Sequence, residues 1–292
     1  MTTTQSRPPI RHVEVVVNPL SGSAGPNAKA EAEAILEARG VKARVSTPED
    51  GVVACLQRAI DAGPDLLAVV AGDGTARCAA EMSGPDGPLV APLPGGTMNM
   101  LPRQLYGERD WRAALEEILD AGVVKSVSGG EVDGKMFFVA AILGAPAHWA
   151  EAREAVREGR MWLAVQRARR AMRRAFTGRL RYALDGGKMR KTEALTLMCP
   201  LVSTIMENDA DFLEATAVDP ASARDIFRLG FHAAVGDWRA APSVEVDKCR
   251  YGAVWAGGRI PAILDGEPQR LSRTAQIKFR PNAFRALVPE VL

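Results

Sequence analysis

The stretch Asp65-Leu66-Leu67-Ala68-Val69-Val70-Ala71-Gly72-Asp73-Gly74-Thr75 leaves the chain few choices. Leu66 to Val70 is an unbroken apolar run of strand length, which reads as a strand buried on both faces, the kind found in a parallel sheet covered by helices. It delivers the backbone into a glycine-flanked aspartate, and the Ala-Arg-Cys-Ala-Ala-Glu that follows favours a helix. Strand, glycine turn and helix start together suit a phosphate. Small residues let backbone N–H groups approach an anion, the helix N-terminus adds partial positive charge, and Thr75 can cap or donate. Asp73 would repel that anion unless a cation stands between them, so it reads as a metal-directed group beside a nucleotide. The same four residues also fit an ordinary tight turn with a helix N-cap.

The flanking sequence repeats the theme. His12 to Val17 reads as a first strand ending in Asn18-Pro19-Leu20-Ser21-Gly22-Ser23-Ala24-Gly25, and Asn27 to Arg39 as a helix closed by Gly40. Val41 to Ser46 is the next strand, and Gly51 to Ala62 a helix with Val52, Val53, Leu56 and Ile60 on its inner face. Alternating strands and helices predict a parallel, doubly wound sheet, whose ligands gather beyond the carboxyl ends of the strands, where Asn18, Thr47 and Gly72 to Thr75 emerge. Neither Gly-x-Gly-x-x-Gly nor Gly-x-x-x-x-Gly-Lys-Ser/Thr occurs, which argues against dinucleotide oxidoreductases and Walker-type ATPases. A third glycine loop, Pro94-Gly95-Gly96-Thr97-Met98-Asn99, follows the apolar run Pro88 to Leu93 and offers a hydroxyl and an amide for a phosphate or ribose.

Asn18-Pro-x-Ser-Gly, Gly72-Asp-Gly-Thr and Pro94-Gly-Gly-Thr-x-Asn, in this order and spacing, resemble the diacylglycerol kinase catalytic-domain superfamily, and most of all the bacterial soluble lipid kinases of the diacylglycerol and sphingosine kinase type. The resemblance is strong over the first half of the chain and faint after it. It implies an α/β N-terminal domain with a doubly wound, NAD-kinase-like parallel sheet, a β-rich sandwich C-terminal domain, and an ATP site in the cleft between them. Carried residue by residue, it implies that Gly72, Asp73, Gly74 and Thr75 cradle ATP phosphates and that Asp73 faces Mg2+. Asn18, Ser21, Gly22, Thr47, Gly96, Thr97 and Asn99 then complete the nucleotide pocket. One departure is visible: the family opens the aspartate loop with two glycines, and this chain has Ala71-Gly72, a mild steric change.

After a helix from Trp111 to Ala121 the texture changes. Short apolar runs at Val123 to Val127, Met136 to Leu143, Leu180 to Leu184, Ala194 to Met198 and Phe212 to Val218, separated by turns such as Val132-Asp133-Gly134-Lys135 and Leu184-Asp185-Gly186-Gly187-Lys188, predict an antiparallel sheet or sandwich. The expected division is 1–125, joined by the tail 274–292, against 126–273 with a helical insertion at 148–177. In that insertion Trp162, Val165, Ala168, Met172 and Ala175 recur at helical spacing among Arg160, Arg167, Arg169, Arg170, Arg173 and Arg174. Such a basic amphipathic helix either docks on an anionic membrane surface or covers the sandwich as a solvated face. No aromatic stacking platform accompanies the arginines, and with a formal net charge of +2 nucleic acid is not an expected partner.

Ile263-Leu264-Asp265-Gly266-Glu267 reads by itself as a hairpin turn. The family resemblance implies more: a late Asp-Gly-Glu lies by the γ-phosphate, Glu267 is the base on the acceptor hydroxyl, and Asp265 supports the metal or orients Glu267. The family's structural metal loop falls near Met206 to Leu213, where the glycine is missing and Asp211 is one of two alignments for the metal ligand. His12, His148 and His232 are isolated, and the four cysteines form no Cys-x-x-Cys pair, which points to reduced, mostly buried thiols. The N-terminus lacks the apolar core of a signal peptide and no run is long enough to span a bilayer, so a cytoplasmic protein, peripheral at the inner membrane face, is expected. The whole implies an ATP- and Mg2+-dependent lipid kinase of phospholipid metabolism acting on a diacylglycerol-like or sphingoid hydroxyl. The rivals are a kinase of a soluble acceptor such as NAD, and a non-catalytic nucleotide or lipid sensor. Neither the acceptor lipid nor the oligomeric state is legible in the sequence.

Overall fold

In the computed structural model the described residues are 9–144, 180–203, 211–218 and 244–290. The chain divides into two compact units, one of Met1–Ser128 with Pro281–Leu292 and the other of Gly129–Arg280. The long basic segment expected as a helix at 148–177 lies outside the described residues, as does most of the expected metal loop at 206–210.

The first unit is built on four parallel strands, β1 (His12–Val17), β2 (Lys42–Ser46), β3 (Leu66–Ala71) and β4 (Leu89–Pro94), in the spatial order β2-β1-β3-β4. Every residue of β3 and β4 is buried, as an apolar strand covered on both faces requires. The order reverses between β1 and β3: the chain leaves β1 to one side for β2, then crosses back to β3. Helix α1 (Ala28–Glu37) buries Ala28, Ala32 and Leu36, one stripe at a spacing of four, and packs against α5 (Trp111–Ala121). Helices α2 (Val52–Asp61) and α3 (Asp73–Ser83) pack on each other, and α4 (Met100–Tyr106) packs against α3. Asp110 caps α5 by accepting the N–H groups of Arg112 and Ala113. The buried stripe of α2 is Cys55, Leu56 and Ala59, whereas Val53 is 62% exposed. The expected face was rotated: Val53 and Leu56 are three apart, but the sheet meets the side centred on Leu56, which places Val53 beyond its edge. The carboxyl end of the last strand, β16 (Thr274–Pro289), adds to this sheet in parallel through Ala286 beside Val90, and the buried Tyr106 hydroxyl donates to the Leu287 carbonyl at 2.9 Å.

The second unit holds two antiparallel layers. One is the amino end of β16 with β13 (Tyr251–Trp255), β8 (Leu180–Leu184) and β9 (Arg190–Thr192); in the other, β12 (Val244–Cys249), β11 (Leu213–Val218), β10 (Ala194–Met198), β7 (Ala140–Gly144), β14 (Ile260–Leu264) and β15 (Glu267–Leu271) pair in that order. Side chains from both layers, among them Leu180, Tyr182 and Val254 from one and Leu143, Leu195 and Leu264 from the other, form one buried core. Strand β5 (Gly122–Val132) leads into this unit and turns back as β6 (Lys135–Phe137).

The run Met136 to Leu143, expected as one strand, is two. Phe138 and Val139 give their N–H groups to the Asp265 carboxylate, at 2.7 and 2.9 Å, so the ladder stops and the chain passes from one layer to the other. The same device recurs. Asp133, Asp185 and Asp265 each precede a glycine with positive φ and themselves sit at φ 54°, 48° and 46°. Each carboxylate captures backbone N–H groups of a neighbouring chain junction: Ser272 for Asp133, Arg250 and Tyr251 for Asp185, and Phe138, Val139 and Ala140 for Asp265. Asparagine and aspartate tolerate the left-handed conformation, so the turn residue doubles as a clamp.

Candidate functional site

Strand register decides what emerges where. Val17 lies beside Val70, Ala71 beside Pro94 and Val16 beside Ser46, so the four strands end level. The segments starting at Asn18, Thr47, Gly72 and Gly95 therefore leave one edge of the sheet, with Asn18 and Gly72 flanking the switch between β1 and β3, where open α/β sheets hold ligands.

Three of these loops touch. The Asn18 N–H donates to the Val70 carbonyl at 3.0 Å, and the Asn18 side chain accepts the Leu20 N–H at 3.1 Å, holding the first turn of its loop. Ser23 stitches that loop to the third: its N–H reaches the Gly95 carbonyl at 3.1 Å and its hydroxyl the Gly96 carbonyl at 2.7 Å. A Cβ on Gly22 would stand 2.6 Å from Thr97 Oγ1, one on Gly95 2.5 Å from the Ala71 nitrogen, and one on Gly96 2.7 Å from the Gly72 Cα. Glycine is required at 95 and 96 because backbone passes over backbone. Beyond Gly72, by contrast, a Cβ would meet nothing within 4 Å, so the aspartate loop opens outward.

Asp73, Gly74 and Thr75 are not a free turn but the first turn of α3, with Gly72 as N-cap and no side-chain cap. The Thr75 N–H already donates to the Gly72 carbonyl at 3.0 Å, while the positive end of the helix dipole lies at the open edge. Asp73 Oδ1 accepts the Met100 N–H at 2.6 Å, which ties the second loop to the third and fixes the carboxylate between them. Asn99 sits at φ 51° and turns its amide back on Gly96: Oδ1 accepts the Gly96 N–H at 2.7 Å and Nδ2 donates to the Gly96 carbonyl at 3.0 Å. Asn99 thus shapes the loop, while Thr97 stands exposed at its tip. Thr47, at the end of β2, donates to Glu49 at 3.1 Å. The methyl of Ala71, where the resembled family has glycine, is wholly buried in β3 and stays out of the opening. Apart from Asp73 the three loops carry no charge from Asn18 to Gly25, Gly72 to Thr75 and Gly95 to Pro102.

In the second unit Asp265 is 2% exposed and accepts three N–H groups, which spends both carboxylate oxygens on backbone. The carboxylate thus ties the turn that leads into Glu267 to the backbone of residues 138–140. Glu267 follows at the head of β15, exposed and without a hydrogen bond or ion pair among the described residues. Asp211 pairs with the Arg250 guanidinium, which holds its carboxyl below the usual range. Among the described residues no group of three His, Cys, Asp or Glu could hold a metal, and residues 206–210 of the loop implied around Asp211 lie outside them. Sequence reading passed over Ser23 as a site residue, and no local signal marks it, since its partners lie 71 and 73 residues away.

Residues 12–132 match the sequence family described as the diacylglycerol kinase catalytic domain. A diacylglycerol kinase structure from Bacillus anthracis str. Sterne aligns at 15% identity with a TM-score of 0.68, covering 98% of this chain and 100% of that one. An NAD kinase from Archaeoglobus fulgidus in complex with ATP aligns at 11% identity and a TM-score of 0.54, covering 96% and 94%. At these identities both likenesses establish the fold, an NAD-kinase-like α/β unit with a β-rich second unit. The three glycine loops all fall inside the matched segment, residues 12–132, and it is this segment that matches the diacylglycerol kinase catalytic domain.

Proposed function

We propose that this protein is an ATP- and Mg2+-dependent lipid kinase that phosphorylates a hydroxyl of a diacylglycerol-like or sphingoid lipid. The observation that carries the reading is the convergence of three glycine loops on an uncapped helix N-terminus with Asp73 as their one charge. With no lysine or arginine in those loops, phosphates there would be held by N–H groups and neutralised by a divalent cation. One carboxylate suits Mg2+, which keeps waters and takes the rest of its shell from substrate phosphates. The residues present therefore fit both groups: Gly72 to Thr75 with Thr97 for the phosphates, and Asp73 for the cation, which when bound would draw charge from the transferring phosphoryl group.

Glu267 is the group on this chain that would take the proton of the acceptor hydroxyl as its oxygen bonds to phosphorus. Asp265 acts through it, by fixing the turn from which Glu267 projects. The buried methyl of Ala71 weakens the sensor reading, since the departure from two glycines does not reach the opening. Among the described residues no helix is long and apolar enough to cross a membrane, and a lipid acceptor would be met at the cytoplasmic face, with the basic segment 148–177 as one candidate contact. The fold likeness to an NAD kinase keeps a soluble acceptor as the second reading.

The test is transfer of labelled γ-phosphate from ATP, with Mg2+, to a total lipid extract in mixed micelles. A labelled lipid that is lost in Glu267→Gln, with ATP binding intact, supports the assignment. Unchanged turnover in Glu267→Gln refutes the base; label on NAD instead of lipid moves the acceptor.

A further inference from the structure

Strand pairing gives one layer of the second unit an outer face that the proposed reaction leaves unused. Leu180, Tyr182, Val254, Ala275 and Ile277 point into the core, so their neighbours along each strand point out. On β13 these neighbours are Tyr251, Ala253 and Trp255. Register sets Arg181 and Thr274 on either side of Trp255, and Lys278 beside Tyr251. Lys191 of β9 follows beyond Arg181. Tyr251 is 57% exposed, Trp255 is partly exposed, and Arg181, Lys191, Thr274 and Lys278 are exposed, so this side meets solvent.

Two features of this face point to one kind of ligand. Tyr251 and Trp255 are four residues apart on one strand, which separates them by about 13 Å and stands both rings on the same side. Ala253 lies between them with Ala183 beside it, so the floor between the rings is shallow. The second feature is charge. Arg181 and Lys191 face each other across the β8–β9 pair, an arrangement that destabilises a sheet, and neither makes an ion pair among the described residues. The carboxylates of the face stand at its other end: Glu131, shared by Lys278 and Arg280, and Asp185, which keeps its charge on the turn next to Tyr251. A flat face cannot enclose a small molecule. It can take an extended chain laid across its strands, with planar groups on the two rings and anionic links on the cations, as a single-stranded nucleic acid provides. Net charge and the arginines of 148–177 carry no trace of this platform, which β8, β9 and β13 assemble only through their register.

We propose that this outer face, with Tyr251 and Trp255 as stacking platforms and Arg181 and Lys191 as phosphate contacts, binds single-stranded nucleic acid. The interaction uses neither the glycine loops nor Glu267 and is read by binding alone, so it stands or falls apart from the proposed reaction. The full chain is titrated into a short fluorescent oligothymidylate and followed by anisotropy over a range of salt. The wild type is expected to bind it, and to bind an abasic strand of equal length about tenfold more weakly or worse. Each stacking ring is worth on the order of tenfold, so Tyr251→Ala/Trp255→Ala binds about a hundredfold more weakly with its salt slope kept. Tyr251→Phe/Trp255→Phe retains the rings and stays within about fivefold of wild type. Arg181→Gln/Lys191→Gln instead lowers the slope of log K against log salt by about 1.4, at about 0.7 for each phosphate contact on a single strand. Arg11→Gln/Lys42→Gln, which removes equal charge from the first unit, leaves affinity and slope unchanged. Equal losses in the two charge variants, ring variants without effect, or an abasic strand bound as tightly as oligothymidylate would each overturn the proposal. So would a wild type that does not bind oligothymidylate, whether or not it pellets with anionic vesicles.

Discussion

Replacing the three turn aspartates one at a time measures what the clamps contribute. Asp133, Asp185 and Asp265 share the left-handed conformation, so alanine at each costs about 1 kcal/mol for the backbone alone. The remainder reports the carboxylate. Asp133 accepts one N–H near the surface and Asp185 two, worth about 0.5 to 1 kcal/mol each where water can replace them. Asp265 accepts three and is 2% exposed, so its loss strands buried N–H groups of Phe138, Val139 and Ala140, and each bond to a charged acceptor is worth about 1.5 kcal/mol or more. The expected order is about 2, 2 to 3 and 5 kcal/mol for Asp133→Ala, Asp185→Ala and Asp265→Ala. In thermal unfolding followed by circular dichroism that is roughly 4 to 8 °C for the first and 10 to 20 °C for the last. Asp265→Ala no worse than Asp133→Ala would refute the claim that this carboxylate holds the passage between layers, and with it the positioning of Glu267.

Other consequences are as direct. Gly95→Ala sets a Cβ against the Ala71 backbone, which cannot rotate away, and should lower the unfolding midpoint by about 1 to 3 kcal/mol equivalent; an unaltered midpoint would deny the close approach of the loops. On Gly22→Ala the new methyl presses on the Thr97 hydroxyl, so ATP binding in calorimetry should weaken with little change in stability, and unaltered binding would deny that contact a part in the site. The Arg11 and His12 N–H groups hold the Asp65 carboxyl below its ordinary 3.8, so its contribution is whole above that value and fades as pH falls through the lower folded value. Acid titration of Asp65→Asn should therefore show a shallower loss of stability than wild type in that range, and parallel curves would remove the effect. Burial pushes the Cys249 thiol to about 12 and Cys199 well up, while Cys78 is only half-buried, so native alkylation at pH 8 read by mass spectrometry should modify Cys78 first.

How much of this was legible depends on the range over which each signal acts. The apolar run Leu66 to Val70 and the Trp111–Ala121 helix are local patterns, and the structure has them at, or within a residue of, their expected bounds. The Asp-Gly turns were equally plain, because only a few residues tolerate the conformation that closes such a hairpin. The rotated face of α2, the broken run at Phe138 and the helical start at Asp73 were not, since each is settled by what lies across from it. The division expected from the sequence, 1–125 with 274–292 against 126–273, stands beside Met1–Ser128 with Pro281–Leu292 against Gly129–Arg280, whose second boundary lies within β16 because its two ends add to different neighbours.

The same distinction governs the site. By itself the sequence determined the four parallel strands of the first unit, the glycine loops and their order, and hence that phosphate-sized openings would lie beyond the carboxyl ends of a parallel sheet; these follow from periodicity and from the side chains glycine lacks. Only the tertiary structure decided that the loops meet, that Ser23 and Asp73 are the stitches, that Asn99 is spent on Gly96 and that Asp265 is a clamp. A hydrogen bond between residues 73 or 127 positions apart leaves no periodic trace, because chain separation says nothing about distance until the sheet has set the register.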